Sequence, residues 1–106
     1  MKLANIENMV KGWFVGNFDP TILKTEQFEV GVKIYKAGEV EAWHVHKVAT
    51  EITVILNGEA QMGGKTLKHG DIIMLEPGEG TSFKAITDLT TVVVKSPSVM
   101  GDKYSE

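Results

Sequence analysis

The sequence predicts an all-β fold, a sandwich or barrel. Three observations carry this. Short apolar runs recur with turn signals every eight to twelve residues. Several runs alternate with period two, as a half-buried strand does. No stretch carries a convincing helical period. The 106 residues suit one domain spanning 1–106, with a single core.

Taken in order, Met1 to Lys11 is ambiguous between a short helix and an edge strand. Gly12 to Phe18 is aromatic-rich and reads as a strand, closed by the Asp19-Pro20 turn signal. From Phe28 to Tyr35, Phe28, Val30, Val32 and Ile34 share one phase. Glu29, Gly31, Lys33 and Tyr35 share the other, and the sequence does not say which set faces inward. Ala37-Gly38 turns the chain into Trp43 to His46, and Glu51 to Leu56 follows. Asn57-Gly58 is a hairpin signal between strands. Glu59 to Met62, the Gly63-Gly64 turn and Lys65 to Lys68 come next. Ile72 to Leu75 is apolar, and Pro77 to Gly80 is a loop. Thr81 to Ile86 and Leu89 to Lys95 are the last strands, before an irregular tail over 96–106.

Composition narrows the function classes. Hydrophobic residues are 42% and charged residues 24%, ordinary for a globular protein. The formal net charge is -3 with scattered basic residues, which argues against a nucleic-acid partner. No apolar run approaches the roughly 20 residues of a membrane span. The start lacks the apolar core of a signal peptide. With no cysteine, disulfides and thiol nucleophiles are excluded. A cytoplasmic location is the expectation.

The chemistry concentrates between Gly38 and Gly58. There the chain reads G-x5-H-x-H-x4-E-x6-G, on Gly38, His44, His46, Glu51 and Gly58. In a strand an H-x-H pair places both imidazoles on one face. Glu51 heads the next apolar run and can bring a carboxylate to the same point. Two imidazoles and a carboxylate form a facial triad that holds a divalent metal and leaves positions open.

This spacing resembles the first motif of the cupin superfamily, with every fixed position filled. The resemblance implies a small single-domain antiparallel jelly-roll barrel with an internal pocket. The second cupin motif, over 70–83, is matched at Gly70 and Gly78. Pro77 is displaced by one place, and Thr81 stands where the family has a third metal-binding His. Three readings follow. Metal binds through His44, His46 and Glu51 alone; or Glu76, Glu79 or His69 substitutes; or the metal is lost and these groups serve as hydrogen-bonding or acid–base residues.

The resemblance implies Fe, Mn, Ni or Zn as the ion, or none if the site is degenerate. It implies a small polar substrate, such as a sugar derivative, and isomerase, epimerase or dioxygenase chemistry with His44, His46 and Glu51 as catalytic groups. The alternative is a metal-free barrel that binds a carbohydrate or a partner protein without turnover. Tyr35, Gln61 and Thr81 are further candidate pocket residues. His69, before a Gly-Asp turn, reads as solvent-exposed. If Glu51 faces inward, then Ile52, Val54 and Leu56 form an outward apolar stripe, which predicts a homodimer. Cover by the tail or by the Trp13-Phe14 strand is the other solution.

Overall fold

A computed structural model describes residues 1–106. Nine strands form two facing antiparallel sheets. They are β1 (Trp13–Val15), β2 (Glu29–Tyr35), β3 (Val40–Val45), β4 (Thr50–Asn57), β5 (Glu59–Met62), β6 (Lys65–Lys68), β7 (Ile72–Leu75), β8 (Gly80–Ala85) and β9 (Leu89–Ser96). One sheet has the order β1-β2-β9-β4-β7 and the other β3-β8-β5-β6. From β2 onward, consecutive strands alternate between the sheets, except for the β5–β6 hairpin at Gly63-Gly64. This is the jelly-roll topology.

Two expectations about elements change, and one left open is settled. Asn57-Gly58 does not close a hairpin; it is a corner at which the chain crosses from one sheet to the other. Gly58 has φ +85°, and a Cβ there would lie 2.3 Å from the Asp88 carbonyl oxygen. Asn57 Oδ1 accepts the Thr90 N–H at 2.9 Å, fixing this corner to the next one. The Asn-Gly conformation is thus used, but to bend between layers. The Gly12 to Phe18 strand shortens to Trp13–Val15, because a bulge and Gly16 (φ +154°) break the pairing. The ambiguous N-terminus forms a 3-10 turn at Ile6–Asn8, capped by Asn5 Oδ1, which accepts the Glu7 N–H at 2.9 Å.

The tail is not free. Val45 and Tyr104 exchange backbone hydrogen bonds. Asp102 is buried, and its carboxylate accepts the N–H groups of Lys47, Val48 and Ala49. The sequence shows nothing periodic there, because one side chain gripping a loop leaves no pattern.

The space between the sheets is divided. One part holds the apolar core of Ile55, Ala60, Met62, Leu67, Phe83, Ala85 and Leu89. The other is a cavity. The phase of β2 is settled in an unexpected sense: Glu29, Gly31, Lys33 and Tyr35 face inward, and Ile34 is 73% exposed. The apolar face of this sheet points outward. Residue register joins Val30, Val94, Ile52 and Met74 into one row across four strands, and Val32, Val92, Val54 and Ile72 into the next. At the β2 end of this face, Ile6, Met9 and Phe14 gather beside Val32. β1 lies beyond β2 at the sheet edge, and the tail bonds to β3 in the other sheet.

Candidate metal centre

His44 lies on β3, His46 just beyond it, and Glu51 on β4, so the two sheets present the residues to one another. One ligand atom from each falls within 4.8 Å of the others. The imidazole centroids are 5.3 Å apart with their planes at 72°, both on the face that the H-x-H spacing predicts. His46 Nε2 lies 3.1 Å from Glu51 Oε2, and both side chains are largely buried.

The main chain sets the tautomers. His44 Nδ1 lies 3.0 Å from the Ala42 carbonyl oxygen, and His46 Nδ1 bonds to the Asp102 carbonyl oxygen. A carbonyl only accepts, so each Nδ1 carries the proton and donates it. Nε2 of each ring is thereby turned toward the centre, the arrangement seen when an outer partner orients a metal-binding histidine. The second motif takes part as well, since the Gly78 N–H donates to the His46 carbonyl oxygen at 2.8 Å.

The electrostatics follow. The Glu51 hydrogen bond is the largest influence on His46 and raises its pKa, with burial opposing and the Asp102 carbonyl adding. Burial alone would raise the Glu51 pKa, but the His46 hydrogen bond and the nearby positive charges bring it below the usual value. These donors fit a divalent ion. A carboxylate already ionised sits beside two imidazoles whose Nε2 lone pairs become available once the His46 proton leaves.

Thr81 pairs with His44 across β3 and β8, so the third-His position is in register with the site. Its hydroxyl is committed elsewhere, accepting the Gly63 N–H at 2.8 Å and donating to the Ser82 carbonyl at 2.9 Å. Glu76 and Glu79 are exposed on the turn before β8, and His69 is exposed and bonded to the Leu56 carbonyl. The structure brings none of these three to the His pair. Tyr35 does line the cavity, its ring tilted 38° against Phe83 at 4.7 Å between centroids. Gln61 does not: β5 turns Ala60 and Met62 inward and leaves Gln61 exposed on the outer surface.

Other groups at the site were not visible in the sequence. Glu41 lies in the phase opposite to His44, yet a bulge between Glu41 and His44 brings both to the cavity. Burial and the neighbouring Glu41 carboxylate push the Tyr35 hydroxyl far above its usual range, so it stays protonated. Lys11, Trp13, Lys33, Lys95 and Lys103 complete a cavity of about 210 Å³. Thr91, 1% exposed, lines a separate void of about 20 Å³ that shares Tyr35, Glu41, His44 and Glu51 with this cavity, and its hydroxyl has no hydrogen-bond partner.

The sequence matches no protein-family model and no curated protein. Solved structures do match it. A double-stranded β-helix protein from Klebsiella pneumoniae has a TM-score of 0.70 at 22% identity, covering 94% of this chain and 88% of that one. A sugar phosphate isomerase of the cupin superfamily from Silicibacter pomeroyi has a TM-score of 0.62 at 23% identity, covering 66% and 50%. Oxalate decarboxylase from Bacillus subtilis has a TM-score of 0.66 at 17% identity, covering 76% of this chain and 24% of that one. The fold is therefore the cupin double-stranded β-helix. Within that class, this chain is a small barrel carrying a His-His-Glu group between its sheets. No helix is long and apolar enough to cross a membrane.

Proposed function

We propose that this cupin holds a divalent metal on His44, His46 and Glu51 and acts on a small polar molecule by isomerase- or epimerase-type proton chemistry. The observation that carries this reading is the pair of backbone carbonyls that hold both Nδ1 protons and turn both Nε2 atoms toward Glu51. When bound, the ion supplies Lewis acidity that polarises a carbonyl or hydroxyl of the substrate. The chain's own groups do the rest. Tyr35 keeps its proton and donates a hydrogen bond to a substrate oxygen. Glu41, beside it, accepts a proton or a substrate hydroxyl. Oxalate decarboxylase, one of the structural neighbours, has Mn(II) centres, which makes Mn(II) the first ion to try.

A second reading has its own observation. His46 and Glu51 already satisfy one another at 3.1 Å, so the barrel is also self-consistent as a metal-free binder. Elemental analysis of the untagged protein, prepared without chelator, separates the two. The expected result is near-stoichiometric metal in the parent and none in the His44→Ala/His46→Ala variant. No metal in either, even after incubation with Fe(II), Mn(II), Ni(II) and Zn(II), sinks the metal reading.

We also propose that the outward face of the β1-β2-β9-β4-β7 sheet packs on a second copy of the chain. Its two apolar rows, with Ile72 68% and Met74 54% exposed, support this.

A further inference from the structure

The cavity beside the histidines gathers four lysines, Lys11, Lys33, Lys95 and Lys103, in a protein whose net charge is -3. Their arrangement is built around one aromatic ring. Trp13 lies over Gly31, where a Cβ would meet its ring at 2.7 Å. Glycine is needed at that point for the indole to lie flat on β2. Lys33 Nζ is 5.3 Å and Lys95 Nζ 4.9 Å from the Trp13 ring centroid, so the indole holds two ammonium groups toward one space.

The positive charge is only partly balanced. Lys95 pairs with Glu29 at 3.5 Å. Lys33 donates to the Lys11 carbonyl oxygen at 2.9 Å and, like Lys11 and Lys103, has no carboxylate at ion-pair distance. Burial, Lys11, Lys103 and Lys95 all disfavour the charge on Lys33, and only Glu41 opposes them. Cations crowded into a concave, part-buried site focus a positive potential that an anion relieves. A flat basic surface for a polymer would lie on the outside of the barrel; these groups line a small cavity.

We propose that the cavity takes a small molecule bearing a carboxylate or phosphate, with that anionic group seated between Lys33 and Lys95 at Trp13 and Lys11 and Lys103 closing around it. The inference rests on the reading of the His44–His46–Glu51 group as the functional centre, toward which the remainder of the molecule points. Lysine binds such a group as a point charge, without the planar fork of arginine, so both oxyanions satisfy the same chemistry.

The test uses the full chain carrying Trp43→Phe, which leaves Trp13 as the one fluorescent indole. Malonate, inorganic phosphate and neutral malonamide are titrated at low salt, where charge contacts are least screened. A saturable change in Trp13 emission is expected with at least one anion and none with malonamide. Lys33→Gln should weaken that binding about tenfold, and Lys33→Arg should retain it. Should Trp43→Phe fold poorly, the two indole N–H resonances of the unsubstituted chain report the same titration. Malonamide binding as well as the anions, emission unmoved by either anion, or Lys33→Gln binding like the parent would overturn the proposal. The same titration on His44→Ala/His46→Ala keeps the two readings apart. Binding retained there assigns the anion to the lysines, whether or not the parent holds metal. Binding lost there, in a parent that does hold metal, places the anion on the ion; it overturns the lysine assignment and leaves the proposed function standing.

Discussion

Thr91 and Asp102 show how single polar groups are treated in this interior. The Thr91 hydroxyl is buried without a partner, a state that costs about 1–3 kcal/mol. Thr91→Val keeps the shape and removes the cost, so urea unfolding should show a gain of about 1 kcal/mol. A loss of stability would mean that the hydroxyl is paired in solution. Asp102 is the opposite case. Burial tends to raise its pKa, but the N–H groups of Ala49, Lys47 and Val48 outweigh it and hold the carboxyl below its usual value. A folded pKa below the unfolded one stabilises the fold fully above the unfolded value, about 3.9, and that contribution is lost as pH falls through the folded value. Asp102→Asn should therefore be less stable at neutral pH, by about 1–2 kcal/mol, and show a shallower fall in acid. Urea midpoints from about pH 6 to about pH 3 test this, and parallel curves would refute it.

At the scale of elements, the corners matter more than the strands. Gly58 sits at φ +85° against the Asp88 carbonyl, so Gly58→Ala should destabilise by about 2 kcal/mol in thermal or urea unfolding. A neutral result would mean that the two corners separate easily. Strand positions were legible, because alternation and turn residues are local signals. So was the His44–His46–Glu51 group, because period two and loop length place it. Glu41 was not, since the bulge in β3 reverses the phase that alternation assigns and no residue type announces it. The facing of β2 was equally hidden. Its inward residues are the polar ones, and its outward residues are the aliphatics expected of a core. The grip of Asp102 on Lys47, Val48 and Ala49 spans more than fifty residues of chain, beyond any pattern within a window.

At the scale of the molecule, the chain makes two unlike surfaces from one sheet. The inner face of β2, β9 and β4 carries Glu29, Lys95 and Glu51 in one row, while the outer face carries Val30, Val94 and Ile52. Covering the apolar side with a second copy, as proposed above, would remove apolar surface from water and add stability. Sedimentation should therefore find a dimer, and Ile72→Lys/Met74→Lys should give a folded monomer with an unchanged far-ultraviolet spectrum. A parent that sediments as a monomer at all concentrations would remove the second copy from the proposal.

The two carbonyls that accept the imidazole protons belong to the main chain, at Ala42 and Asp102. An orientation written in side chains can drift by point mutation; one written in peptide groups persists through almost any change of residue. Position 42 contributes only its peptide carbonyl to His44, whereas at position 102 the side chain also fixes the segment whose carbonyl orients His46. Insertions and deletions, which alter the path of the backbone itself, are the changes that would reach the centre.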